Sequence, residues 1–403
     1  MKYNILTISD LHWGVMEEDK MYEQYQYILD FIDLVYSRVD RGNLQKIDLI
    51  VIAGDYFDSQ LNLNSRRAIK ALDWFDELYS KAVSRGIPIR MIRGTLSHDA
   101  DQMDVFRKYD LNFKLFTKCT SEETLPGLRC VYCPDEVMDT RTYLLEYMDE
   151  LLAENAVGFF HGSFDTVIKQ DIDVTQLLTE EPEEIMKLIT SITFPMNYFQ
   201  RVVKYCWVGG HWHDGNTYDN VYYTGSPTRW IHGENEPKGF GFLSIDTDAE
   251  RYYYRKILNP IAPQFNTFEW HPEDIDDEDM VRDASLLVDL IDARVKDYEI
   301  RNVEYNIRIM IYDEDNRRPC TNTCINTFKD HYLKNKRVVI RIKSRDKGKK
   351  KKQQVIEETA KDYSFIHDKN VSVADQIREF IKVKMGVDIP IEYIEDKIKK
   401  NTN

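Results

Sequence analysis

Along the first hundred residues, short continuous apolar runs alternate with longer segments in which apolar positions recur at helical spacing. The runs YNILTI, IDLIVIAG and IPIRMIRG are rich in β-branched and apolar residues, as strands buried on both faces of a parallel sheet tend to be. Between them, Tyr22 to Val39 and Ser65 to Arg85 show the amphipathic pattern of two helices. The alternation continues with a helix around Tyr143 to Glu154 and two further buried runs, AVGFFHG and KYCWVGGHWH. The pieces that follow, NVYYTGSP, GFGFLSID and RYYYRKIL, are shorter and suggest a second, mostly antiparallel layer. Strands alternating with helices predict an α/β fold.

The acidic stretch HPEDIDDEDM, His271 to Met280, combines clustered carboxylates with a proline and reads as a boundary. Beyond it the pattern predicts a small α/β unit: a helix near Ala284 to Lys296, the alternating strand VEYNIRIMIY, a helix near Ile325 to Leu333, and RVVIRI. The run RDKGKKKKQQ, Arg345 to Gln354, is either a solvated tether or a nucleic-acid contact. The tail then reads as two short helices. Ser372 and Asp375 resemble a capping box, Gly386 stops the first helix, and Asp388 with Pro390 starts the second. Val373, Ile377, Phe380, Ile381 and Met385 share one face, and Ile391, Ile394 and Ile398 another. The two faces either bury one another or dock on a larger surface, since so small a unit rarely sustains a core alone. The chain thus divides into residues 1–270, 271–344, 345–370 and 371–403.

Composition sharpens the picture at three points. The net charge of −15 is uneven: residues 331–403 carry 19 Lys and Arg against 11 Asp and Glu, a net +8 that leaves −23 for the rest. So acidic a body argues against wholesale coating by nucleic acid, though not against a cleft made positive by bound metal. Six cysteines in 403 residues make no disulfide framework, and reduced thiols are expected; the pair Cys130 and Cys133 sits in a strand-like context without a second pair at zinc-ribbon spacing. The N-terminus MKYNILTISD lacks the apolar region and cleavage site of a signal peptide, and no apolar run reaches membrane-spanning length, which predicts a cytoplasmic protein with no membrane partner.

The chemistry lies where the apolar runs end. ILTISDLH ends in Asp10 and His12, LIVIAGDYFD in Asp55 and Asp58, IRMIRGTLSHD in His98 and Asp99, AVGFFHG in His161, and YCWVGGHWH in His211 and His213. Ligands of open α/β sheets bind at the carboxyl ends of the strands, so these groups are expected to converge. Carboxylate oxygen and imidazole nitrogen together suit Mn, Fe or Zn. In extended chain, residues at i and i+2 point the same way, so Asp10 with His12, and His211 with His213, are each expected to grip one ion. The set is too large for a single ion, and two ions about 3.5–4 Å apart sharing a carboxylate would use it.

The ordered elements SDLH, GDYFD, GTLSHD, HG and GHWH resemble the motifs of the calcineurin-like metallophosphoesterases over roughly the first 260 residues. The resemblance implies a two-layered β-sandwich flanked by helices, here followed by a small α/β cap and a helical tail. It implies that Asp10, His12 and His213 hold one ion, that His161 and His211 hold the other, and that Asp55 bridges them. His98 matches the family's catalytic histidine, with Asp99 orienting it. Where the family has an asparagine ligand this chain has Ser97 before the histidine and Thr95 after the glycine, so either hydroxyl stands in its place. Two divalent ions are expected, Mn foremost, with Mg, Fe or Zn as alternatives.

Within that family, VIAGDYFD, the segment YYTGSPTR after GHWH, the cap and the tail resemble the nuclease subunit of SbcC and SbcD type DNA end-processing complexes, phage-encoded relatives included. That resemblance implies a DNA exonuclease and endonuclease acting in repair and recombination, residues 371–403 docking on an SbcC-like ATPase, a DNA-binding role for the cap, and a homodimer within the complex. For a phage-encoded chain the compartment is the host cytoplasm. Trp13, Arg93 and Arg229 beside the motif loops either meet DNA or pack locally. The rival classes are a small-molecule or cyclic-nucleotide phosphoesterase and a non-catalytic scaffold.

Overall fold

The computed structural model describes residues 1–39, 46–109, 112–135, 156–164, 196–272, 275–313 and 319–343, with the single positions 146, 154, 194 and 391. The expected helix at 143–154, the linker at 345–370 and the docking helices at 371–403 lie outside these described residues, apart from the single positions named.

Three sheets organise the described chain. In the first, β1 (Lys2–Ile8), β2 (Leu49–Ala53), β3 (Ile89–Ile92) and β4 (Phe113–Phe116) run parallel in that order. Helices α1 (Glu18–Val39) and α2 (Arg66–Val83) connect the first three strands. Ser65 starts α2 by accepting the Ala68 N–H at 3.2 Å, the usual service of a serine N-cap. Every residue of β2 is buried, because one face of this sheet meets the helices and the other meets a second sheet. Leu6, Ile8, Ile50 and Ile52 pack toward α1 and α2, while Ile5, Leu49 and Val51 pack with Tyr132, Val157, Phe159 and Val208 between the sheets.

The second sheet joins β5 (Thr120–Leu125), β6 (Leu128–Cys133), β7 (Ala156–His161), β8 (Trp207–Gly210), β9 (Thr217–Tyr218) and β10 (Val221–Tyr223) in the order β5-β6-β7-β8-β10-β9. On its outer face the short helix α3 (Met196–Val202) lays Phe199 against Trp207, and the indole N–H donates to the Phe199 carbonyl at 2.6 Å. Here the sequence expectation is corrected. The second layer is not mostly antiparallel, because β6, β7, β8 and β10 run parallel at its centre. The strands read as its antiparallel members, β11 (Gly239–Asp246) and β12 (Arg251–Leu258), extend the first sheet beside β1 instead. Alternation alone cannot say which sheet a hairpin joins.

The third sheet is parallel, β13 (Gln264–Trp270), β14 (Tyr305–Tyr312) and β15 (Val338–Lys343), with α4 (Asp277–Ile300) and α5 (Pro319–Tyr332) between its strands. Its first strand precedes residue 271, so the small α/β unit starts before the acidic stretch. That stretch is the beginning of a helix: Asp276 caps α4 by accepting from Asp279 N at 2.9 Å, and Met280 is fully buried. Carboxylates gather there because the N-terminal end of a helix carries partial positive charge. Among the described residues no helix is long and apolar enough to cross a membrane, and Cys130 and Cys133 are buried free thiols of β6.

Candidate metal centre

The ends of β1, β2 and β3 meet the ends of β7 and β8 across the gap between the two sheets. The chain turns sharply as it leaves the strands: Asp10, His12, Asp55 and His211 all have positive φ, at 52°, 45°, 47° and 104°. Such conformations are costly for residues with a Cβ, and they gather where surrounding structure overdetermines them. They also replace the extended-chain geometry expected at both pairs, although Asp10 and His12 still share one group as expected. These pairs are not strand alternations, and His211 and His213 part company. The ligand atoms of Asp10, His12 and His213 form one group, and those of Asp55, His161 and His211 another, each within 4.8 Å. A third such group, His12, Asp55 and His98, joins them.

Two carboxylates are held in the same manner. Asp55 Oδ1 accepts the Thr95 N–H at 2.7 Å, which leaves Oδ2 at 3.1 Å from His161 Nε2 and 3.6 Å from His12 Nε2, between the two groups. Asp10 Oδ1 accepts the His211 N–H at 2.8 Å, and its Oδ2 is buried without a hydrogen-bond partner. The imidazoles are tied from behind. His161 Nδ1 donates to the Ala53 carbonyl at 2.8 Å, which turns its Nε2 toward Asp55. His12 Nδ1 lies 3.5 Å from Asp58 Oδ1, and His213 Nδ1 lies 3.3 Å from Glu234 Oε1. His211 Nδ1 is buried and unpaired. Close approach requires small residues: a Cβ on Gly54 would overlap the His161 ring, and one on Gly94 the Asp55 backbone.

Charge is concentrated here. Burial alone would raise the Asp55 carboxyl, but the imidazoles of His161, His12 and His98 hold it far below the ordinary carboxylate range. Burial likewise disfavours charge on His161, yet Asp55 pulls its pKa up to about 10. His211 moves the other way, lowered by burial and by its neighbour His161. A set of two buried carboxylates, two buried imidazoles and two half-buried ones, with orphaned buried atoms at Asp10 Oδ2 and His211 Nδ1, fits divalent ions held by oxygen and nitrogen.

Two site expectations are corrected. Asp99 does not orient His98. Its fully buried carboxylate accepts backbone N–H groups from Tyr56 at 2.9 Å, Phe57 at 3.1 Å and Gly94 at 2.7 Å, pinning the loops after β2 and β3 together. His98 Nδ1 instead donates to the Asp58 carbonyl, and its ring stands edge-on to His12 at 4.8 Å. Ser97 is exposed and outside the cluster, whereas Thr95 Oγ1 lies 3.3 Å from Asp55 Oδ2 and 3.5 Å from His161 Nε2. Of the residues expected either to meet DNA or to pack locally, Trp13 and Arg229 are packed. Trp13 is fully buried against Tyr25 and Trp74, and Arg229 donates to the carbonyls of Glu234, Asn235, Glu236 and Pro263.

Sequence reasoning missed Trp230, Glu234 and Asp135. Trp230 packs edge-on to both His12 and His213, with ring centroids 5.0 and 4.7 Å away. Asp135 follows the end of β6, one more parallel strand end, and its charge acts on both His161 and His211. Its position after a strand was a signal available in the sequence; nothing local marked Glu234.

A family model described as calcineurin-like phosphoesterase matches residues 3–215, more than half of the chain. No curated protein matches it.

Proposed function

The chain belongs to the calcineurin-like phosphoesterase family, and we propose that within it this protein is a DNA nuclease. The observation that carries the phosphoesterase chemistry is Asp55 Oδ2 standing between His161 Nε2 and His12 Nε2, one carboxylate oxygen shared by two ligand groups. Asp10, His12 and His213 would hold one divalent ion, His161 and His211 the other, with Asp55 common to both and the Thr95 hydroxyl beside the second. Bound divalent ions supply Lewis-acid polarisation of the phosphoryl oxygens and neutralise charge that develops at phosphorus.

The residues do the rest. The backbone donors on Asp55 and Asp10 fix which oxygen of each would face the ions, so little reorganisation is needed at the moment of reaction. His98 stands at the edge of the cluster, half-buried, with Nδ1 tied to the Asp58 carbonyl and Nε2 free to serve the departing oxygen. Burial of Asp10, His12, Asp55 and His161 keeps bulk water from screening these charges.

The choice of DNA rests on the likeness to SbcD-type nucleases: the segment YYTGSPTR after GHWH, and a small α/β unit after the sandwich. On the same likeness, the tail at 371–403 docks on an SbcC-like ATPase that gates access to the site, within a complex containing two nuclease chains. Purified protein with Mn should hydrolyse DNA. His98→Ala should keep its metal and lose turnover, while Asp55→Ala should lose both. A fully active His98→Ala variant would remove the role given to that residue. Truncation after Gln354 should leave hydrolysis intact and abolish co-purification with such an ATPase; undiminished binding would end the docking assignment.

A further inference from the structure

The loop after β10 reaches back to the metal centre through a carboxylate that the family motifs do not include. Arg229 shapes this loop: its guanidinium is buried and bonds to the carbonyls of residues 234, 235 and 236, with Glu236 at 2.6 Å. The loop is therefore a turn wrapped around a cation, and the wrapping directs Glu234 inward. Glu234 is only 7% exposed. Its Oε2 accepts the Trp230 N–H at 2.9 Å. Its Oε1 is buried with no hydrogen-bond partner, lying 3.3 Å from His213 Nδ1 and 3.4 Å from Lys238 Nζ. Lys238 is itself buried, and it donates to the His213 carbonyl at 3.0 Å.

A buried carboxylate oxygen without a bond is costly, and among the described residues two donors stand near it. One is a lysine already engaged with a backbone carbonyl. The other is the imidazole nitrogen that points away from the cluster. If His213 carries its proton on Nδ1, aimed at Glu234, its Nε2 has the lone pair that a metal requires. If the proton were on Nε2, it would point at His12 Nε2 only 3.1 Å away and block that position.

We infer that Glu234 is a positioning residue for the first metal site: it accepts the Nδ1 proton of His213 and so presents His213 Nε2 to the ion held with Asp10 and His12. Lys238 balances the carboxylate's charge, and Trp230, on the same loop, wedges the two imidazoles of that site. This inference rests on the metal centre proposed above but not on DNA as its substrate.

The test is calorimetric titration of metal-stripped protein with Mn, alongside the visible spectrum of the Co-substituted protein. Wild type should bind two ions. Glu234→Ala should bind one as tightly as wild type and the other about 10–100-fold more weakly, with an altered Co spectrum. Glu234→Gln retains a carbonyl acceptor and should restore most of the lost affinity. Glu234→Asp keeps the charge beside Lys238 but draws the acceptor back by a methylene. It serves as the probe if Glu234→Ala does not fold, with a smaller loss confined to the same ion. Wild-type affinity for both ions in folded Glu234→Ala or Glu234→Asp would overturn the inference. So would a Glu234→Gln variant as weak as Glu234→Ala. A wild type that binds no ion would overturn the metal centre itself, and with it this assignment.

Discussion

The Nε2 atoms of His12 and His213 face one another 3.1 Å apart, in a buried cluster where each ring has a carboxylate behind its other nitrogen. With Nδ1 of both rings protonated toward Asp58 and Glu234, two lone pairs confront each other, an arrangement that a cation between them relieves. Replacing either ring should therefore remove one ion and spare the other. His12→Ala and His213→Ala are each expected to retain one tightly bound Mn per chain by equilibrium dialysis and elemental analysis, against two for wild type. Two ions retained in both variants would place the first site elsewhere.

Thr95, not Ser97, lies beside the second group. A hydroxyl is a weak neutral ligand, and a carboxamide at this position would reach further with a better donor atom. Thr95→Asn is expected to tighten binding of the weaker ion about tenfold, Thr95→Val to loosen it, and Ser97→Ala to change nothing. Titration calorimetry distinguishes the three. An effect of Ser97→Ala equal to that of Thr95→Val would restore Ser97 as the ligand.

The strand ends were legible in the sequence because a buried parallel strand is a continuous apolar run, and the first polar residue after it has nowhere to go but the sheet's edge. That is how Asp10, Asp55, His161 and His211 stood out. What periodicity alone could not show, and only the family resemblance supplied, was pairing between sheets. His211 and His213 are two residues apart yet fall in different groups, because a left-handed residue breaks the alternation between them. Asp99 was misread for the opposite reason: neighbouring a functional histidine, it looked functional. Its bonds instead run to residues 56, 57 and 94. Glu234 was illegible because its partner is 21 positions away, brought close by a loop that Arg229 folds.

Asp99 provides a test of that distinction between structure and chemistry. Removing an acceptor of three buried N–H groups should cost about 3 kcal/mol, so Asp99→Ala is expected to unfold at clearly lower urea than wild type. If stability were unchanged while turnover collapsed, the orienting role would return.

Lys256 gives a pH signature. Burial, and the charge of Lys238 nearby, lower its pKa from 10.5 to about 8. Between about pH 8 and 10.5 the unfolded chain holds a proton at this position that the folded chain has lost, so stability contributed here rises with pH through that window. Lys256→Met should be more stable than wild type at pH 7, on the order of 2 kcal/mol, with the advantage shrinking by pH 10. Denaturant unfolding of both proteins at the two pH values measures this. A constant difference would show that the ammonium is not the cause.

The most direct test of the account is hydrolysis of linear duplex DNA by the metal-stripped protein as Mn is titrated back. The expected result is no cleavage without metal, and cleavage that appears as the second equivalent binds. Cleavage that persists in excess chelator would contradict the metal mechanism. Intact DNA with two ions bound would contradict the substrate.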